Sequence, residues 1–177
     1  MSNIYFFDTD CLSTFLRINR QDILIKVFEN NKMYIPPFVH QELLKAPEPI
    51  LSNLTDMINN GYIAKKDIFY GTKEFKEYYL MTKPDPNIKN IGDGEASAIA
   101  LAKIFDGIVV SNNYKDILYY VNLYNLKYTT TSDILVKSLK MKITTKKECN
   151  KIWKDMLAFG NYMPEKSFDD YYSKNNK

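Results

Sequence analysis

Short apolar runs set between helical stretches constrain this chain more than any other feature. Ile4-Tyr5-Phe6-Phe7 has no polar alternation, which marks a strand buried on both faces rather than one facing water. Met33-Tyr34-Ile35 reads the same way, and Gly107-Ile108-Val109-Val110-Ser111 is the best strand signal in the sequence. Residues 62–64 and 127–129 give weaker strands, the last at an edge. Helical periodicity resumes at Leu12, Phe15 and Leu16, and again over 21–30, where Ile23, Leu24, Val27 and Phe28 share a stripe. Further helices are predicted at 38–45, opened by Pro36-Pro37, at 50–59, stopped by Gly61, and at 72–81, 95–105, 115–124, 132–140 and 146–159. Doubly buried strands alternating with helices predict an α/β fold with a parallel-leaning sheet covered on both faces. The stretch 65–91, with Pro84 and Pro86, is the most loop-like, and a polar tail follows 159. With no internal repeat or linker, 1–177 reads as a single domain, its core at about 4–141 and C-terminal helices and tail beyond.

Composition excludes several classes. At 45% hydrophobic residues the chain is far from a disordered composition. Cys11 and Cys149 lie far apart without repeated spacing, which argues against a disulfide framework or a zinc knuckle and fits a reducing compartment. The first residues lack a basic region before the apolar run, and no run is long enough to span a bilayer, so a cytoplasmic protein without membrane attachment is expected. His40, the sole histidine, has no Ser or Cys at a telling spacing, which disfavours a nucleophile triad. A net charge of +3 names no partner. Its distribution says more: Lys137, Lys140, Lys142, Lys146, Lys147, Lys151 and Lys154 cluster with few acids among them. Such a run is either a solvated helix face or a phosphate-contacting flank for RNA at Lys137, Lys140, Lys142 and Lys147, with Tyr119, Tyr120 and Tyr124 available for stacking.

Open α/β sheets bind ligands beyond the carboxyl ends of their strands. Asp8 ends the first strand, Asn112-Asn113 end the Gly107 strand, Glu42 follows the Met33 strand on a helix, and Glu95 opens a helix. If these positions converge, like charges crowd one space and need compensation. A hard divalent cation, Mg²⁺ or Mn²⁺, supplies it through oxygen ligands, making a hydrolytic site for a phosphodiester. Each residue also has a plainer role. Asp10 and Asp93 suit helix N-caps, Glu95 suits a first turn, Glu42 alone suits a solvated face, Asn112-Asn113 alone is a turn signal, and Cys11 suits a core. Gly92-Asp93-Gly94 as a nucleotide-binding turn is a poor match, lacking both the P-loop lysine and a third glycine.

Asp8-Thr9-Asp10 after a buried strand, Pro36-Pro37-Phe38-Val39-His40-Gln41-Glu42, the helix Gly94-Glu95-Ala96-Ser97-Ala98-Ile99-Ala100-Leu101-Ala102, and Val109-Val110-Ser111-Asn112-Asn113 occur in one order. In that order they resemble the PIN-domain family, with an overall look similar to its VapC-type toxin nucleases and stand-alone relatives, over 4 to about 141. The resemblance implies a three-layer α/β/α domain, an Mg²⁺- or Mn²⁺-dependent endoribonuclease, a homodimer and, in the toxin branch, a small antitoxin. It implies Asp8, Glu42 and Glu95 as catalytic metal ligands, with Asn113 at a fourth position and Asp10, Asp93, Asn112 and Asp116 as further candidates. At the fourth position the family commonly has an aspartate. An amide ligates through its carbonyl oxygen but brings no charge, which weakens metal retention unless Asp116 compensates. A PIN-like domain that has lost catalysis and binds RNA or a protein is the alternative.

Overall fold

The alternation of side chains along β1 (Ile4–Phe7) sets the layering of the molecule. Tyr5 and Phe7 enter one apolar cluster and Phe6 enters another on the opposite face. The computed structural model describes residues 2–83 and 89–175, so the breaks expected at Pro84 and Pro86 lie outside the described residues. β1, β2 (Lys32–Ile35), β3 (Ala64–Lys65), β4 (Ile108–Val110) and β5 (Lys127–Thr129) form a parallel sheet in the order β3-β2-β1-β4-β5. The expected three-layer arrangement is what the chain adopts.

On the Phe7 face lie α1 (Thr9–Arg17), α2 (Gln21–Val27), α3 (Pro37–Leu43), α4 (Ile50–Asn59), α8 (Thr131–Lys140), α9 (Lys146–Ala158) and α10 (Phe168–Asn175). On the Phe6 face lie α5 (Lys73–Thr82), α6 (Asp93–Phe105) and α7 (Tyr114–Leu123). The alanines of α6 make it thin, and Ala96 through Ala102 are all buried. Such a helix is apolar nearly all round and belongs in an interior.

Two expectations need correction. β3 begins at Ala64, two residues later than predicted, because Ile63 turns into the core while Tyr62 stays 47% exposed. The tail after 159 is more than polar coil. Phe168 is fully buried against the Trp153 ring and opens α10.

Chain order places a crevice. From β1 the chain steps to β2 and β3 on one side, then returns so that β4 pairs with the other side of β1. Ligands in open parallel sheets bind outside the carboxyl ends at such a reversal. Asp8 follows β1 there, and its backbone N–H donates to the Val110 carbonyl at 2.9 Å.

Candidate acidic site

Asp8, Asp10, Glu42 and Glu95 line one cavity of about 640 Å³ beyond the ends of β1 and β4, together with Asn112 and Asn113. Each arrives on a different local device. Asp8 is the N-cap of α1, its Oδ1 accepting the Thr9 N–H at 2.7 Å. The sequence predicts that role for Asp10. Asp8 takes it because α1 begins at Thr9, directly after the strand end, and Asp10 instead sits in the first helical turn, where its Oδ1 accepts the Asn112 N–H at 3.3 Å. Glu42, near the end of α3, accepts a short hydrogen bond from the Thr9 hydroxyl. Glu95 is the third residue of α6, with Oε1 accepting the Asn113 amide at 2.8 Å.

Gly94 lets these groups meet. A β-carbon there would stand 3.2 Å from Asp8 Oδ1 and 3.5 Å from both Glu42 carboxylate oxygens. The Asp8 and Glu42 carboxylates therefore reach the same spot on α6, where a β-carbon would crowd Asp8 slightly and make ordinary contact with Glu42.

Crowding and burial show in the acids' proton affinities. Burial, reinforced by the charges of Asp10 and Glu95, holds Asp8 well above the ordinary aspartate value, although the Ser111 hydroxyl donates to its Oδ2 at 2.8 Å. Burial also raises Asp10. Burial is the first cause for both residues, because it disfavours the ionised carboxylate.

The other sequence candidates divide. Asn113 donates its amide to Glu95 and, at 2.7 Å, to Asp116 Oδ2, so it presents nitrogen rather than oxygen to these acids. Asn112 spends its side chain on α8, donating to Thr131 Oγ1 at 2.8 Å and accepting the Thr131 N–H at 2.9 Å. Asp116 pairs with Lys89 at 3.2 Å and is held below its ordinary value by the Asn113 and Lys89 hydrogen bonds. Asp93 is not among the residues lining the cavity, and it accepts the Tyr78 hydroxyl at 2.7 Å. Gly92 holds the N-cap position expected of Asp93.

Lys137, Lys140, Lys142 and Lys147 do not line the cavity; Lys115 does. Tyr120 is 2% exposed, its hydroxyl hydrogen-bonded to the Lys89 carbonyl, which removes it as a stacking surface. Sequence reasoning missed Thr14, Tyr114, Asn161 and Tyr162, which also line the cavity. Asn161 accepts the Thr14 hydroxyl at 3.1 Å, a contact 147 residues apart that no local signal announces.

The donor set is oxygen only, which suits Mg²⁺ or Mn²⁺ rather than a soft metal. Among the described residues, no group of three or more His, Cys, Asp and Glu side chains is arranged to hold a metal as it stands. The carboxylates are instead engaged by Thr9, Ser111 and Asn113. The chemistry of the donors fits a hard cation.

A family model described as a PIN domain matches residues 4–177. No curated protein matches the chain. Among solved structures, VapBC2 from Rickettsia felis, bound to a DNA fragment from their promoter, aligns with a TM-score of 0.53 at 19% identity, covering 72% of this chain and 98% of that one. A PilT N-terminus domain protein from Sulfolobus solfataricus P2 aligns at 0.48 and 14% identity, covering 77% and 93%. VapBC-1 from nontypeable Haemophilus influenzae aligns at 0.49 and 13%, covering 73% and 98%. At 19% identity the likeness to VapBC2 is one of fold. The order of motifs, the sheet and the family match agree: the chain belongs to the PIN-domain family.

Proposed function

We propose that the acidic cavity is the active site of an Mg²⁺- or Mn²⁺-dependent endoribonuclease. The observation that carries this is the meeting of carboxylates from β1, α3 and α6 at the carboxyl end of the sheet, with Asp8 and Glu42 reaching the same glycine. Asp8, Glu42 and Glu95 would hold the ion. Asn113 would add a neutral ligand after its amide turns over, or keep Glu95 in place as it does now. When bound, the ion supplies an activated water and offsets charge developing on a phosphodiester. Burial makes Asp8 hold its proton more tightly than an ordinary aspartate, and a bound cation would favour its ionised form. Thr9 and Ser111 fix the carboxylate planes of Glu42 and Asp8. Lys115 on the cavity wall favours an anionic substrate over a neutral one.

The same reading takes 1–177 as one domain of a cytoplasmic protein, acting as the toxin of a pair with a small antitoxin and forming a homodimer. Its support is the likeness to VapBC2 and the family match. Cleavage of generic and transfer RNA with Mn²⁺ and with EDTA is the direct test. Asp8→Asn and Glu95→Gln are each expected to lower the rate by about a hundredfold, the scale of losing one charge-stabilising group. Metal-dependent cleavage unchanged in both variants rejects the assignment.

A second reading, a PIN fold that binds RNA or a protein without cutting, is favoured by one observation: the fourth position carries an amide that donates to Glu95. Asn113→Asp separates the two. Raised cleavage marks an enzyme weakened by that amide, and silence under all metal conditions marks a binding module.

A further inference from the structure

Next to the acidic cavity runs a second groove, of about 450 Å³, and the two share Asn112, Tyr114 and Tyr162 as lining residues. Its walls also carry Tyr128 and Tyr171. Tyr162 is 78% exposed and Tyr114 48%, and Tyr114 meets Tyr128 with ring centroids 5.8 Å apart. The charged side chain lining this groove is Asp133, which accepts the Tyr171 hydroxyl at 3.0 Å. A third depression shares Asp133, Tyr171 and Asn175 with the second and adds Lys137 and Lys140. Among the described residues neither lysine forms an ion pair. The surface thus runs from the acidic cavity through an aromatic groove to a depression that carries two lysines beside Asp133.

We propose that this track binds one short single strand of RNA, leaving the acidic cavity with its bases against the tyrosines and a neighbouring phosphate at Lys137 and Lys140. The inference rests on the reading of the cavity as a ribonuclease site. The charge pattern selects the occupant. Tyr114 and Tyr162 offer exposed rings on which a base can stack, and among the described residues the middle groove is lined by no cation that would hold a phosphate. The lysines stand where the backbone would next need cations. α8 gives the spacing: from Asp133 to Lys140 the axis advances about 10 Å. A duplex cannot lay its stacked bases against such a wall, so single strands are preferred.

The test is binding of a labelled mixed-sequence oligoribonucleotide by fluorescence anisotropy in EDTA, where nothing is cut. Tyr162→Leu is expected to weaken binding about 5- to 150-fold, the range for losing one base-stacking ring, while Tyr162→Phe stays near wild type. Tyr162 is too exposed for this change to unfold the chain. Lys137→Gln with Lys140→Gln should weaken binding and make its salt dependence shallower, by about 0.7 in slope for each phosphate that is no longer neutralised. Tyr70→Ala, which removes an aromatic 90% exposed that lines none of these depressions, should change nothing. Wild-type affinity in Tyr162→Leu, equal affinity for a duplex, or no binding by the wild-type chain overturns the proposal. Expected binding losses in a chain that never cleaves leave the track standing and sink the nuclease reading. Cleavage with binding indifferent to these variants does the reverse.

Discussion

Gly94 has no side chain, and the Asp8 and Glu42 carboxylates lie close beside the place its β-carbon would take. Gly94→Ala therefore sets two effects against each other. Alanine in a helix is worth about 1 kcal/mol over glycine. Its β-carbon would press on Asp8 Oδ1 at 3.2 Å, a contact that a few tenths of an ångström relieve. Thermal unfolding should show the variant at or above wild-type stability while metal-dependent cleavage falls at least tenfold; equal activity would show that the Asp8–Glu42 spacing does not matter. Asn113 is the complementary case. Its amide donates to both Glu95 and Asp116, so Asn113→Asp replaces two hydrogen bonds with two like-charge contacts. In EDTA the variant should lose about 1–3 kcal/mol, and Mn²⁺ should raise its Tm more than it raises that of the wild type. A Tm insensitive to Mn²⁺ in both proteins would count against any cation at this site.

Among the elements, the C-terminal helices matter more than their distance in sequence suggests. The Trp153 indole is fully buried, packs against Phe168 and Tyr171, and donates from Nε1 to the Glu165 carbonyl at 3.0 Å. This anchors the segment that carries Asn161 and Tyr162 to the cavity wall. Trp153→Ala should cost about 3–5 kcal/mol in denaturant unfolding, as large cavities in cores do, and a loss under about 1 kcal/mol would mean that the tail packs loosely. How legible each element is follows from where its determinants lie. β1 and β4 are plain because burial on both faces removes polar residues from the run itself. Asp8 and Glu42 are legible because strand ends and the helix after β2 carry them by topology. β3, two residues long, has too little pattern to place, and α10 hides a single buried Phe168 among polar neighbours. Asn161 and Tyr162 carry no signal of their own, since their place depends on packing around Trp153 rather than on any local motif.

For the molecule as a whole, the acidic site makes stability depend on pH. Asp8 and Asp10 both bind protons more tightly in the folded chain than in the unfolded one. Between the ordinary aspartate value and their raised values the native state carries the extra protons, so stability falls as pH rises across that window and levels off above it. In EDTA, the Tm of the wild type measured by circular dichroism should decline upward from the ordinary carboxylate range. Asp8→Asn should decline less, because its amide cannot ionise. Parallel curves for the two proteins would show that Asp8 contributes nothing to the linkage. Saturating Mn²⁺ should flatten the wild-type curve, since a cation compensates the same charges. No helix among the described residues is long and apolar enough to cross a membrane.

Asn112 belongs to two neighbourhoods at once. Its backbone N–H holds Asp10, and its side chain clasps the first residue of α8 by donor and acceptor together. The helix that carries Lys137 is thereby hinged to the rim of the acidic pocket through one residue. Asn112 thus ties the start of α8 directly to Asp10, so a substitution that frees α8 from Asn112 also removes what positions this residue against the acidic pocket.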